Sequence, residues 1–298
     1  MRIVFLLLAI FSGAAFAADS HDVYYQGNLT PLNIMPTFEK GYLAVYDIDH
    51  QIALYTHDGS LLYRVTAQVD GASFTHISNA AVDENGTLAV AVDFRMPTAA
   101  APSGGILTFD PTGAQIGLIN TGGYLPTQVS FGPDHSTWAI GYYRPSKPDD
   151  YFVLRNYSST GELIGGYLPR SSFEPELAPV GPCIGGWQLR VSDRNVVALF
   201  YASSIYKPGQ QERAMLQWVE TDLRGKELLR RDLPRTHFAL GRNGSFYGQF
   251  DGVAVLDGTT GKWRKVAAGD GTLLGADSDT LVFLPAPGNM LRWVPVGH

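Results

Sequence analysis

A unit of four short apolar segments recurs along this chain, and this recurrence limits the possible folds more than any other feature. In the clearest copy, two of the connections are Asp/Asn/Gly turns and the third is a longer loop. Its segments span residues 74–82, 87–94, 105–110 and 114–120. Almost no stretch carries the i, i+3, i+4 apolar spacing of an amphipathic helix. The sequence therefore predicts an all-β chain built from four-stranded antiparallel units.

Five further units are less regular. Together with the copy described above, the six units span 41–65, 74–120, 127–168, 186–233, 237–268 and 272–296. Such units packed side by side around an axis form the blades of a β-propeller. The last unit has only three strands, and residues 22–29 are predicted to supply its fourth, which closes the ring and leaves its last sheet without an open edge.

We therefore predict a single propeller domain over residues 18–298, with six blades as the favoured number. The turn glycines Gly59, Gly113, Gly161, Gly225 and Gly261 are unevenly spaced. That spacing leaves five or seven blades as alternatives. A two-sheet sandwich is a further alternative, but it gives no reason for four-strand units to recur.

Residues 41–65, GYLAVYDIDHQIALYTHDGSLLYRV, resemble the NHL repeat, in which a G-x-L-x-V-x-D strand precedes an x-I-x-x-Y/F-x-x-x-G segment. Weaker copies of the pattern lie in 88–116 and 246–263. The resemblance implies the six-bladed propeller superfamily and no narrower family. Motifs of this kind specify a fold rather than an activity.

The N-terminal 17 residues, MRIVFLLLAIFSGAAFA, have the pattern of a secretory signal peptide. A single positive residue, Arg2, precedes an apolar run, and the small residues Ala15 and Ala17 precede the expected cleavage point after Ala17. The run is too short for a transmembrane anchor. We therefore expect a secreted or periplasmic protein. Cys183 is the only cysteine, so the chain has no intrachain disulfide.

The charge pattern argues against nucleic acid as a partner. Lys and Arg number 22 against 28 Asp and Glu, which gives a net charge of −6, and the basic residues do not cluster. Nucleic-acid-binding domains usually carry basic patches. The expected partner is instead a protein, a peptide or a glycan.

Strand order assigns the connections of each blade to two faces. The Asp/Asn/Gly turns share one face, here called the short-turn face. The opposite, long-loop face carries the connections 94–105, 143–151, 169–186 and 201–214. Long loops on a rigid scaffold are frequent binding sites. Candidate ligand-binding residues there are Arg95, Tyr143, Arg144, Tyr206, Lys207 and Arg213. The alternative is that the aromatic residues pack between blades.

Carboxylates and imidazoles also recur at equivalent positions near the central channel. The weak candidates for metal ligands are Asp47, Asp93 and Asp251, and those for a catalytic base are His76 and His237. Oxygen ligands suit a divalent cation such as Ca²⁺. The alternative is that each aspartate caps its own loop.

Two functions follow from these features. We favour a non-catalytic binding or scaffold propeller without a cofactor, because G-x-S-x-G, H-E-x-x-H and phosphate-loop motifs do not occur in the sequence. The alternative is a metal-dependent hydrolase similar to gluconolactonase-type propellers. Their early G-E-x-P-x-W strand has no counterpart here, where His21-Asp22-Val23 and Pro36-Thr37-Phe38-Glu39 occupy that region. A third reading is a ring that only anchors a complex through its blade edges.

Overall fold

Six antiparallel sheets of four strands each form a closed ring, so the chain is a six-bladed β-propeller. The computed structural model describes residues 20–30, 36–46, 51–143, 150–173, 188–201, 215–234, 236–257, 260–269, 271–277, 279–286 and 288–296. Within these residues the only helical segment is one 3-10 turn, Arg170–Ser172. The predicted fold is confirmed, and the five-bladed, seven-bladed and sandwich alternatives are excluded.

The strands follow the chain around the ring, with the first strand of each blade at the channel. After β1 (His21–Tyr24), the first blade comprises β2 (Thr37–Glu39), β3 (Tyr42–Tyr46), β4 (Gln51–Tyr55) and β5 (Leu61–Thr66). The second comprises β6 (Phe74–Val82), β7 (Leu88–Arg95), β8 (Ser103–Phe109) and β9 (Gln115–Gly122). The third comprises β10 (Tyr124–Phe131), β11 (Thr137–Tyr143), β12 (Phe152–Tyr157) and β13 (Leu163–Pro169).

The remaining blades repeat this order. The fourth comprises β14 (Gln188–Val191), β15 (Asn195–Tyr201), β16 (Met215–Asp222) and β17 (Glu227–Pro234). The fifth comprises β18 (Phe238–Leu240), β19 (Phe246–Phe250), β20 (Gly252–Leu256) and β21 (Trp263–Ala267). The sixth comprises β22 (Thr272–Asp277), β23 (Thr280–Leu284) and β24 (Met290–Pro295), with β1 as its outermost strand.

The predicted closure of the ring by the N-terminal segment is confirmed. Strand β1 pairs antiparallel with β24, and His21 lies opposite Trp293. Asp22 accepts hydrogen bonds from the Arg292 guanidinium, the shorter at 2.7 Å. The strand is shorter than the predicted 22–29, but the backbone continues to bond the sixth blade through the Tyr25 and Leu29 amides. The blade that contains the last strand therefore also contains the first.

Sequence analysis missed β2, the innermost strand of the first blade. It has only three residues, and Lys40 and Gly41 form the tight turn that follows it, both with positive φ. Thr37, Phe38 and Glu39 are all buried, so the strand shows no alternation of buried and exposed positions. A segment this short without a period-2 pattern gives no strand signal in sequence.

The turns on the short-turn face have the predicted chemistry. All five turn glycines used to count the repeat have φ between 67° and 87°, a region that Cβ-bearing residues rarely occupy. Two of these turns begin with an aspartate that accepts backbone N–H bonds two and four residues later: Asp110 accepts from Thr112 and Ala114, and Asp222 accepts from Arg224 and Lys226. These bonds define the turns locally, and the turn glycines also pack closely against neighbouring segments, as Gly59 does against Tyr24.

Six apolar clusters hold the blades together, and each one lies at the junction of two neighbouring blades among the described residues. At the junction of the fourth and fifth blades, Trp218 stacks on Phe246 with 4.4 Å between ring centroids. At the junction of the sixth and first blades, Trp293 meets Phe38 edge-on at 5.2 Å. The hydrophobic core is therefore a ring of interfaces rather than one central cluster.

We predict that Gly59→Ala destabilises the ring closure specifically. Gly59 has φ +85°, and an added Cβ would clash with the Tyr24 carbonyl oxygen of the closing strand. The left-handed backbone and the overlap together should lower the free energy of unfolding by roughly 2–5 kcal/mol. Urea denaturation monitored by tryptophan fluorescence measures this loss.

Gly122→Ala is the matched control. Its φ is +64°, but nothing lies within 4 Å of an added Cβ. Gly122→Ala should lower the free energy of unfolding by about 1–2 kcal/mol, which is the cost of a left-handed backbone for a residue with a Cβ. Equal losses in the two variants would contradict a role for close packing of Gly59 against the closing strand.

Candidate functional site

Four side chains at the long-loop end of the second blade share one face of the β6–β7 hairpin. In the register of this pair, Phe74 lies opposite Arg95 and His76 lies opposite Asp93. Side chains alternate along a strand, so positions 74 and 76 project on the same side as 93 and 95. Thr75 and Phe94, which project on the other side, are buried. The hairpin thus presents an aromatic ring, an imidazole, a carboxylate and a guanidinium together.

A depression of about 390 Å³ lies beside this group and is lined by Ser73, Phe74, Asp93, Arg95 and Pro102. Its backbone is held by Ser73, whose N–H and hydroxyl both donate to the Arg95 carbonyl, at 2.9 and 3.0 Å. Pro102 comes from the loop between the second and third strands of the blade, on the long-loop face. The depression thus combines a rigid hairpin with one wall from a loop.

His76 and Asp93 form a hydrogen-bonded pair, with 2.8 Å between Nδ1 and Oδ1. The carboxylate side chain is 17% exposed and the imidazole 57% exposed, so the inner partner orients the outer one. The hydrogen bond to Asp93 raises the pKa of His76, and partial burial opposes it. The Phe74 ring stacks nearly parallel to the imidazole, 6.4 Å between centroids.

Arg95 and Phe74 provide the exposed surface of the site. Phe74 is 49% exposed, although it is a large apolar side chain. Among the residues that the structure describes, no carboxylate lies within ion-pair distance of the Arg95 guanidinium. A free guanidinium forms paired hydrogen bonds with a carboxylate, and a neighbouring ring covers an apolar group. The arrangement therefore suits an anion that is attached to an apolar moiety.

The structure brings together three of the sequence candidates, namely Arg95, His76 and Asp93. Sequence analysis did not select Phe74. Its signal was present, because it lies two residues before His76 on a predicted strand and so shares its face. Five other candidates lie outside the described residues. They are the predicted ligand-binding residues Arg144, Tyr206, Lys207 and Arg213, and Asp47 of the predicted metal set.

Tyr143 packs within the third blade. Its hydroxyl accepts a hydrogen bond of 3.1 Å from Arg155. Its ring meets Tyr124 and Tyr151 edge-on, at 6.0 and 5.3 Å. The Arg155 guanidinium lies 4.0 Å from the centre of the Tyr124 ring. These contacts lie within one blade, and Tyr143 also packs against the apolar clusters on both sides of that blade. Its role in ligand binding stays a prediction.

The second histidine and aspartate candidates are placed differently from the first. Asp251 is fully exposed, with Oδ2 3.6 Å from Lys265 Nζ. His237 precedes β18, and its carbonyl accepts the Gln249 N–H. Within the described ranges, no three His, Cys, Asp or Glu side chains are grouped so that they could hold a metal ion. Because Asp47 lies outside those ranges, the predicted metal set stays a prediction.

A search of the described residues for membrane-crossing helices finds none that is both long and apolar enough. Residues 1–17 lie outside the described residues, so the signal peptide stays a prediction.

No protein-family model and no curated protein matches this chain. Solved structures of other propellers do. The Dos1 propeller is 14% identical, with 89% of this chain and 78% of that chain covered and a TM-score of 0.47. The Pan2 WD40 domain of Neurospora crassa is 10% identical, with coverages of 89% and 76% and a TM-score of 0.49. BamB from Moraxella catarrhalis is 16% identical, with coverages of 89% and 70% and a TM-score of 0.40.

These likenesses are distant. The fold follows from the strand order of the chain itself: it is a six-bladed β-propeller whose last blade is completed by its first strand.

Proposed function

We propose that this protein is an exported, non-catalytic binding propeller that takes an anionic ligand on its long-loop face. The observation that carries the proposal is the shared placement of Arg95, His76 and the exposed Phe74 ring on one side of the β6–β7 hairpin. A guanidinium beside an exposed ring is typical of recognition surfaces, where Arg and aromatic side chains supply much of the binding free energy.

The chemistry of the group selects the ligand class. Arg95 supplies a planar, positively charged guanidinium with several N–H donors, and His76 supplies a second cation when it is protonated. Phe74 offers apolar surface next to both. We therefore favour a peptide segment of a partner protein in which an acidic residue adjoins an apolar one. A glycan with a carboxylate is the other ligand of the same chemistry.

The other loops of this face support an anionic ligand. Parts of the long connections predicted for this face, 144–149 and 202–214, lie outside the described residues. Their sequences contain Arg144, Tyr206, Lys207 and Arg213. Cationic and aromatic side chains are the types that suit an anion attached to an apolar moiety.

Export is supported by the signal-peptide pattern that ends at Ala17. A propeller of this size with an acidic net charge and a single cysteine suits a secreted or periplasmic location. Mass spectrometry of the protein recovered from its host tests the cleavage point, because a mature N-terminus at Ala18 is expected.

The alternative, a metal-dependent hydrolase, is favoured by one observation. Asp93 holds the imidazole of His76 in a fixed orientation, as a carboxylate does for a general base. Thermal unfolding after chelator treatment, followed by titration of Ca²⁺, Mg²⁺, Mn²⁺ and Zn²⁺, tests it. A native-state metal site at 100 times its Kd adds about 2.7 kcal/mol, and that gain would disappear in Asp93→Ala. A flat response to every cation would contradict the hydrolase.

We predict that Arg95→Gln weakens binding of a fluorescent peptide of alternating Glu and Phe roughly tenfold or more, because one charge-assisted pair is lost. A peptide of alternating Lys and Phe should not bind the native protein. Fluorescence anisotropy measures both.

Arg264→Gln is the control for a general loss of positive charge. Arg264 is exposed on β21, the outer strand of the fifth blade. Its substitution should leave peptide affinity unchanged. If the two variants lose affinity equally, the ligand does not bind at the β6–β7 hairpin.

We also predict that His76 titrates above the ordinary histidine pKa and that Asp93→Asn lowers its pKa. A raised folded-state pKa means that the pair stabilises the protein below the unfolded pKa and that this contribution is lost as pH rises through the folded value. NMR titration of the imidazole measures it. Asp251→Asn should leave the pKa of His76 unchanged, and an equal shift in both variants would contradict the pairing.

A further inference from the structure

A second site lies at the opposite end of the central channel, on the short-turn face. Residues from all six blades line it: Phe38, Glu39, Lys40, Glu84, Pro133, Arg190, Val191, Ser192, Asp193, Leu240, Gly241, Arg242, Gly275 and Ala276. The cavity measures about 60 Å³. A water molecule occupies about 30 Å³ in the liquid, so the space suits a very small guest.

The side chain of Glu39 lies at the end of the channel on the short-turn face. It lies at the end of β2 in the first blade, is 6% exposed, and accepts a hydrogen bond from Ser130 of the third blade. Ser130 in turn accepts the Val191 N–H of the fourth blade at 3.1 Å. The second carboxyl oxygen of Glu39, Oε2, is buried and has no hydrogen-bond partner in the described structure. A buried oxygen without a partner is costly, and such groups often mark a bound species.

Two cations line the same cavity without an acidic partner of their own. Lys40 Nζ donates to the Phe131 carbonyl at 2.9 Å, and Arg190 Nη1 donates to the Leu189 carbonyl at 2.8 Å. Within the described ranges, neither has a carboxylate at ion-pair distance. Both side chains therefore have further N–H groups that can donate to a small ligand in the cavity.

The remaining charged groups of the cavity offset one another in part. Arg242 Nε lies 3.1 Å from Asp277 Oδ1, so this cation is already paired. Glu84 and Asp193 are exposed at the rim. Burial raises the pKa of Glu39, although Arg190, Lys40, the Ser130 hydroxyl and the Val82 amide all act to lower it. In its neutral form, Glu39 offers an O–H donor at the unpartnered position.

We propose that this cavity binds one small anion, the size of a carboxylate or chloride, between Lys40 and Arg190 and beside the buried side chain of Glu39. Lys40 and Arg190 then donate to the same anion, and Glu39 donates to it through its unpartnered oxygen when that oxygen carries a proton. The site is separate from the one on the long-loop face. Its anion is either a free solute or the side chain of an acidic residue that a partner inserts from the short-turn face.

Isothermal titration calorimetry of the purified protein with sodium acetate, at constant ionic strength with a bulky sulfonate as the other anion, tests the proposal. We expect saturable one-to-one binding that is tighter at pH 5.5 than at pH 7.5. Arg190→Gln should weaken it roughly tenfold or more, because a charged donor is lost. Arg224→Gln, an exposed arginine of the same face, should leave it unchanged.

Glu39→Gln separates the titration of this residue from that of Glu84 and Asp193. The amide preserves the shape and keeps a donor toward the anion, so binding should persist and lose most of its pH dependence. Thermal unfolding without acetate shows whether each variant is folded. If the Gln variant is unfolded, the Arg190→Gln and Arg224→Gln comparison still decides the proposal.

Competition by a hexaglutamate peptide distinguishes the source of the anion. Displacement of acetate indicates that an acidic side chain reaches the cavity, and its failure assigns the site to free solutes. The proposal is overturned if acetate and chloride show no saturable binding at either pH, or if Arg190→Gln binds acetate as the native protein does.

Discussion

The inner edge of each blade is the constraint on which this structure depends. The innermost strand pairs on one side only, so the N–H and C=O groups on its other side face the channel and must find partners. For four of these N–H groups, a side chain of the preceding blade supplies the partner. The Tyr46 hydroxyl accepts the Ala80 N–H at 2.5 Å, and the Asn79 amide oxygen accepts the Val129 N–H at 3.1 Å.

The same device recurs further around the ring. Ser130 accepts the Val191 N–H, and Gln249 accepts the Leu273 N–H at 2.9 Å. Each of these bonds joins one blade to the next at the channel, while an apolar cluster joins them further out. These neighbouring blades are therefore held together both at the channel and farther from the axis. The two proposed sites lie on this rigid framework.

Strand β6 connects the two sites. At its long-loop end it carries Phe74 and His76, and in the channel it carries Asn79 and Ala80. At its other end, Val82 precedes the turn that carries Glu84, which lines the cavity on the short-turn face. A ligand group at either end therefore meets a strand whose position is set by the first and third blades.

The fold was predictable because its signals are local. Turn glycines, aspartate caps and period-2 strands are properties of short segments, and even the N-terminal closing strand followed from counting three strands in the last unit. β2 escaped prediction because three buried residues carry no pattern. The long-loop site was predictable in part, since equivalent strand-end positions placed His76 and Asp93 near the same end of the channel.

The other parts of the sites depend on contacts between distant segments. Glu39 and Ser130 are 91 residues apart and meet only across the channel, so neither carries a local signal of its role. Tyr143 at the end of its strand was compatible with a ligand groove or with packing, and its sequence position gave no sign of its contacts with Arg155 and Tyr151. Sequence reasoning places residues on a strand or a loop, whereas these contacts depend on how blades meet.

Hydrogen exchange at the channel-facing amides tests this account most directly. If side chains of the preceding blade satisfy them, the amides of Ala80, Val129, Val191 and Leu273 should exchange as slowly as amides within the sheets. Tyr46→Phe should then speed exchange at Ala80 roughly tenfold or more, beyond its effect on the other three, because one hydrogen bond is lost. Fast exchange at all four amides in the native protein would contradict the claim that side chains of the preceding blade satisfy them.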